Sequence, residues 1–414
     1  MIEQPAAPEG LTVAPEGARV DLAMPTFSDP TSITNPLFPI SSQHSVLMTG
    51  DVDGEPFRTE VTLLQETRVV SWEGQSVETL VSQYVAYLGG RVHEVAYDLY
   101  AQADDGSVWY FGEDVYNFAN GAIVNTHGTW HAGADGPAAM IMPADPQVGD
   151  VYRPENIPGL VFEEVTVTKI DQTFDGPFGP ISGGIEISEL HMDGGTEGKT
   201  FAPGYGEFWT SDGTDTEELA VAVPTDASDG PIPAELEAMT AGTAAVVEAA
   251  RTDDWDAASA ALDEIVAAWE AYSAGDVPLL IEPVMTDAVD ALEQAIDARE
   301  GTEAEQAAIL LAQTALDLQL LHRSPAEIDL ARGALWATQL IVDAEAEDAG
   351  AVNGDALTLD YIRDRIGSVL GDAEAEVNQL MEDLHGAVGD EDFAAVIDIA
   401  EQLRQTLEGV IPAA

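Results

Sequence analysis

The spacing of hydrophobic residues follows two different rules on either side of about residue 230. Up to residue 225 the apolar residues come in short runs, many of them alternating with polar ones. Examples are "RTEVTLLQETRVVSW", "ETLVSQYVAYL", "RVHEVAYDLYAQA", "SVWYFGEDVYNF", "AIVNTHGTWHA", "LVFEEVTVTKI", "GIEISELHM" and "ELAVAV". A period of two puts alternate side chains on opposite faces of a strand, and Val, Ile, Tyr and Thr suit that pleated surface. Gly, Asp and Pro punctuate the runs in "DDG", "NG" and "DGPFGP", so neighbouring strands are joined by short turns and pair antiparallel. The prediction for 31–225 is a curved antiparallel sheet or open barrel. Within it "YDLYAQADDGSVWYFGE" reads as two strands about a turn at Asp104–Gly106, and Asn120-Gly121 marks the next hairpin.

Beyond a linker of turn residues at 226–232 the chain turns Ala- and Leu-rich and the period becomes helical. Helices are predicted over 233–251, 253–273, 284–299, 302–322, 325–346, 357–386 (with a break near Gly371) and 391–408. "SAGDVP", "HRSP", "EDAGAVNGD" and "AVGDED" are the breaks between them. Ser324 before Pro325 has the form of an N-cap. "ARTDDWDAASAALDEIVAAW" aligns weakly with "HGAVGDEDFAAVIDIAEQLRQTL", which places Trp255, Leu262, Ile265 and Trp269 on Phe393, Ala400, Leu403 and Leu407. The expectation for 233–410 is an α-helical bundle of helical hairpins, and the fold class is α+β in two domains. Residues 1–30, rich in Pro, Ala and Glu, read as a flexible tether.

Charge changes the picture more than length does. Of 414 residues 76 are acidic and 14 basic, a net charge of −62. Residues 1–230 hold 37 acidic and 7 basic residues, and the remainder 39 and 7, so the field covers both halves. Such a surface repels nucleic acid and anionic membranes and attracts cations. With Lys169 and Lys199 as the only lysines, it suits a salt-adapted protein whose self-repulsion is screened. The absence of cysteine excludes disulfides and thiolate chemistry. The N-terminal stretch lacks the basic and apolar regions of a signal peptide. The expectation is an extracellular or cell-surface chain whose signal has been removed, with the cytoplasm of a salt-adapted cell as the alternative.

Four segments, "DLYAQAD", "GSVWYFGE", "GTWHAGADGP" and "IMPADPQVGDVY", together with "ITNPLFPI" and "FAPGYGEF", span about residues 33–210. In that order they resemble a family of bacterial secreted proteins and lipoproteins. The chain departs from the family pattern at His131, where an acidic residue is usual, and over 66–90. The helical part, through "DLQLLHRSPAEIDLARGALWATQLIVDA" and "YIRDR", is similar to a domain of exported bacterial proteins. These resemblances imply the β fold and export, and they assign no activity.

Candidate chemistry is sparse. His127 and His131 are four apart, with His93 and His191 on other strands, and imidazole is the commonest nitrogen donor to metals. Four residues along a continuous strand span roughly 13 Å, too far for one ion unless the chain bends at Gly128. Met140, Met142 and Met192 raise copper(I), and the acidic loops at Asp51–Glu55 and Asp212–Glu218 raise calcium, but neither set has a standard ligand spacing. Tyr97, Tyr100 and Trp109 are either core aromatics or a ligand-binding face. Arg332, within a cluster with Arg323, Arg363 and Arg365, either joins an ion-pair network with Glu327 or Asp329 or holds an anion, with Trp336 one turn on. No nucleophile elbow, metalloprotease helix or phosphate loop is present. The expected function is non-catalytic binding of a metal ion (calcium or a transition metal) or small ligand at the cell surface. The alternatives are a structural or assembly protein, with a protein partner or a second copy, and a hydrolase.

Overall fold

The structure, a computed structural model, describes residues 2, 5 and 7–411. The chain is α+β. Among the described residues fourteen strands form one unclosed antiparallel sheet, and eight helices follow. The described residues divide into two compact units, the first holding 7–118 and 123–225 and the second 119–122 and 226–411.

In the first unit the strands are β1 (Ser45–Val52), β2 (Glu55–Trp72), β3 (Gln75–Leu88), β4 (Arg91–Gln102), β5 (Val108–Ala119), β6 (Ala122–Asn125) and β7 (Trp130–His131). They continue with β8 (Ala139–Met142), β9 (Val151–Ile157), β10 (Val161–Gly176), β11 (Gly179–His191), β12 (Thr196–Ala202), β13 (Gly206–Ser211) and β14 (Thr216–Val223). The sheet runs from β6 back to β1, crosses to β14, and descends from there to β9, while β7 and β8 pair with β5. It is therefore two meanders joined along β1 and β14.

The run expected as one strand in "AIVNTHGTWHA" is two, because Gly128 turns the chain at φ +102°. Gly112, in the middle of "SVWYFGE", has φ +118°, and a Cβ there would lie 2.1 Å from the Trp130 carbonyl oxygen. Only glycine lets β7 close on β5 at that point. Where composition predicts a tether over 1–30, residues 19–30 lie along the sheet. Arg19 bridges to Val151 and pairs with buried Asp21. The Asp104 carboxylate accepts from Thr26 Oγ1 and the Ser28 amide, both at 2.7 Å. The following segment buries Ile33, Leu37, Phe38 and Ile40.

The second unit comprises α1 (Ala234–Arg251), α2 (Trp255–Tyr272), α3 (Ile281–Ala298), α4 (Gly301–Gln319), α5 (Pro325–Glu345), α6 (Ala349–Ile366), α7 (Glu374–Gly389) and α8 (Phe393–Val410). Seven helices are predicted from periodicity and eight are found. The stretch 357–386 divides at Gly371, which is left-handed at φ +52°. Its first half begins at Ala349, inside the expected break, because Asp348 caps the amides of Gly350 and Ala351.

The internal repeat is fourfold. The turns from α1 to α2, α3 to α4, α5 to α6 and α7 to α8 each place a non-glycine residue in the left-handed region: Asp253, Arg299, Glu347 and Glu391. The residue after each donates its amide to the carbonyl five positions back: Asp254 to Ala249, Glu300 to Ala295, Asp348 to Asp343 and Asp392 to Ala387. This is the Schellman bond pattern running straight into the next N-cap. Packing repeats as well. α1 lies against α2 and α4 with α3 on α4, and α5 lies against α6 and α8 with α7 on α8, the two sets meeting at α4 and α5.

Candidate metal centre in an acid-lined sheet

The β unit encloses an unusual number of ionisable groups. Burial pushes Asp98 up to about 7, against the hydrogen bond from Tyr110 Oη at 2.6 Å. It raises Glu217 to about 7 and Glu155 to about 8. Glu113 is driven to about 11 by burial and by the charges of Asp98 and Glu155. Protonated Glu113 on β5 hydrogen-bonds to Glu155 on β9, which also accepts from Trp130 Nε1 at 3.0 Å. Amid these acids lies Lys199. Burial alone would lower its pKa, but Glu189, Glu207, Glu163 and Glu197 hold it well above the usual value.

Strand register gathers one metal-type donor set in this environment. Glu189 and His191 are two apart on β11 and share a face. Glu163 on β10 is directly opposite His191, and Glu197 on β12 is directly opposite Glu189. Lys199 lies two residues beyond Glu197 on the same face of β12. His191 Nδ1 is 3.5 Å from Glu163 Oε1, and its Nε2 is 3.4 Å from Glu197 Oε2 and 3.7 Å from Glu189 Oε1. Lys199 Nζ stands 3.2 Å from Glu189 Oε1 and 3.8 Å from Glu197 Oε2. One ligand atom each from Glu163, Glu189 and His191 fall within 4.8 Å of one another, the only such set of three His, Asp or Glu among the described residues.

Electrostatics favour the charged forms of His191, Glu197 and Lys199. Hydrogen bonding to Glu163 and Glu197 holds the His191 imidazolium up to about 10, against burial. Burial would raise Glu197, but His191 and Lys199 together bring it down to about 2. Glu189, 3 % exposed, is raised by burial and pulled back by Lys199. The contacts around the imidazole, at 3.4–3.7 Å, are longer than charge-assisted hydrogen bonds of about 2.7–2.9 Å. Three carboxylates face one imidazolium and one ammonium, leaving a formal excess of one negative charge. Exchange of the imidazolium proton for a divalent ion brings that sum to zero.

The other expected residues fall elsewhere. His127 is exposed in the turn after β6, and its amide donates to Asn125 Oδ1. His131 on β7 pairs with Asp114 at 3.1 Å. Neither belongs to the His191 set. His93 is exposed against the edge of Phe57. Met140 and Met142 are buried in β8 against Trp109 and Val108, a core position. Asp212 spends its carboxylate on the amides of Thr214 and Asp215 in its own turn.

Among the aromatics, Trp109 is core, bonded to Ser107 Oγ and packed on Trp72. Tyr97 is buried with its hydroxyl 3.2 Å from Gln83 Nε2. Tyr100 lines a cavity. In the helical unit Arg332 is 1 % exposed between Asp317 at 2.8 Å and Asp329 at 3.2 Å, while Trp336 packs on the core of α5–α8.

Glu163, Glu189, Glu197 and Lys199 are the residues that sequence reasoning missed. The available signal was the polar pair at i and i+2 in "ELH", after the alternating "GIEIS", and again in "EGK". Comparison of the chain with protein-family models, with curated proteins and with solved structures finds no match.

Proposed function

We propose that this chain is a non-catalytic binding protein whose β unit takes a divalent metal ion at Glu163, Glu189 and His191. The observation that carries the reading is the convergence of those three donors within 4.8 Å. Two carboxylates and one imidazole suit zinc, manganese or iron(II), whereas calcium prefers oxygen alone and copper(I) prefers thioether. Glu197 and Lys199 are the surrounding charges that set the affinity. The site belongs to an exported, salt-adapted protein in this reading, which rests on the net charge of −62 and on the resemblance to secreted bacterial proteins.

Because the imidazole must lose its proton to bind, metal uptake releases a proton and tightens as pH rises. Chelator-stripped protein titrated calorimetrically with zinc and manganese at fixed high salt is expected to bind one ion. His191→Ala should abolish that heat, and the double change His127→Ala with His131→Ala should leave it intact. Absence of saturable binding in the wild type, or binding that survives His191→Ala, refutes the assignment.

A further inference from the structure

A second feature of the β unit points to a different ligand. Between the segment 38–43 and strands β1–β4, β13 and β14 lies a cavity of about 140 Å³. Its wall presents four aromatic rings, Phe38, Tyr84, Tyr100 and Tyr205, and three carboxylates, Asp98, Glu207 and Glu217. No lysine, arginine or histidine lines it. The remaining wall is largely apolar, including Val46, Met48 and Val61. From this geometry we infer that the cavity binds a small methylated ammonium ion that carries no carboxylate of its own.

Three physical arguments lead there. The first is charge. Rings attract a cation through the negative π face, and more strongly once water is excluded. As Asp98 and Glu217, raised to about 7 by burial, lose their protons above neutral pH, the acids gathered here need a counter-ion, and Lys199, whose charge reaches Glu207 and Glu217, does not line the cavity. A zwitterion bearing its own carboxylate would meet these acids at close range and be disfavoured.

The second is preorganisation. Tyr100 is held by two ring contacts, with Phe38 in a T-shaped pair at 5.0 Å and with Tyr110 stacked at 4.9 Å. Asp98 is held by the Tyr110 hydroxyl and Glu217 by the Thr59 hydroxyl. Neutral donors thus position both groups without supplying a positive charge of their own. Burial also keeps the Tyr84 and Tyr100 hydroxyls protonated, so the rings add no negative charge.

The third is size and surface. A cavity of about 150 Å³ holds a six-carbon ring, so this one admits a ligand of about five to seven heavy atoms. Four rings together with Ile40, Val46, Met48 and Val61 offer methyl groups apolar contact on most of the wall, which a small primary ammonium, held by the carboxylates alone, would leave unfilled. A bare metal ion would leave most of that wall unfilled.

The test uses the full chain at fixed high salt and about pH 8, above the values near 7 of Asp98 and Glu217, with tetramethylammonium and choline as probes followed by calorimetry and ligand NMR. Both are expected to bind one to one. The neutral isostere 3,3-dimethylbutan-1-ol and the zwitterion glycine betaine should bind at least about tenfold more weakly, the scale of one desolvated cation–π contact. Glu217→Gln, which keeps shape, should weaken tetramethylammonium by a similar factor, and Tyr100→Leu should weaken it further. His127→Ala, in the exposed turn after β6, should leave it unchanged, and the assay uses chelator-stripped protein so that the outcome is independent of the metal reading. Equal binding of the neutral alcohol would show an apolar cavity without cation selectivity. Failure of both ammonium probes to bind folded wild-type protein would overturn the inference outright.

Discussion

Arg332 shows how much a single buried charge can depend on its partners. It is 1 % exposed between Asp317 and Asp329, and Asp329 also faces Arg365 at 3.5 Å. Two ion pairs account for the guanidinium without an anionic ligand. Removing one partner of a buried pair costs roughly 3–5 kcal/mol, because the other charge stays buried. Arg332→Ala is therefore expected to lower the unfolding free energy of the helical unit by about that amount. Arg332→Lys should recover part of it, since an ammonium cannot reach both carboxylates with a planar fork. Denaturant unfolding of the three proteins checks this, and a fully stable Arg332→Ala would contradict it. In the β unit the acids set a pH dependence. Asp98 and Glu217 titrate near 7 when folded but near 4 when unfolded, so the folded state binds more protons between those values. Stability must fall as pH rises through that window. His191, raised to about 10, contributes fully below its unfolded value of about 6.5 and less as pH climbs toward 10, in the same direction. At fixed high salt the unfolding midpoint is expected to be higher at pH 5 than at pH 8, with a smaller difference in Glu217→Gln. A midpoint that is flat or rising over that range would show that these acids are not buried in their charged form.

At the scale of elements, the helical unit is one turn used four times. In three of the four copies the residue after the left-handed position is an aspartate whose carboxylate caps the next helix: Asp254 to Ala257, Asp348 to Ala351 and Asp392 to Ala395. The fourth, Glu300, makes no such side-chain bond. Losing an N-cap of this kind costs about 0.5–2 kcal/mol, so Asp392→Ala should destabilise by that amount. Glu391→Gly, one residue earlier, should be neutral or stabilising, because glycine holds the left-handed conformation without the Cβ penalty of about 1–2 kcal/mol. Thermal unfolding of both variants decides it, and an equal loss in the two would mean that the turn is fixed by other contacts. The same logic explains Gly112 in the sheet, where backbone approach leaves no room for a side chain.

Over the whole molecule, charge is the dominant quantity. With −62 spread over both units, self-repulsion is weakened by screening, whose range lengthens from about 8 Å at physiological salt to about 30 Å at 0.01 M. Both units are expected to lose thermal stability together as salt is withdrawn. An unchanged melting temperature between molar and millimolar salt would remove the case for salt adaptation. The acidic field also favours cations near the sheet, the direction taken by both proposed sites.

Periodicity alone was enough to divide this protein into a β part and a helical part, because a period of two and a period of 3.6 are local properties of the chain. Turn chemistry did the same for the hairpin at Asn120-Gly121 and for the N-cap at Ser324, since each is settled within four residues. The limits appear where a residue's neighbour is distant. Glycines in "EDAGAVNGD" read as a break, yet Asp348 caps a helix that runs through them. His127 and His131 look like a pair and are not one, because Gly128 turns the chain between two short strands. Glu163 and His191 are 28 positions apart and meet only through the register of β10 on β11. A strand's alternation says which residues share its face, but not which residues of another strand stand opposite. That register, and with it the donor set and the aromatic cavity, was decided by the tertiary pairing of strands distant in sequence.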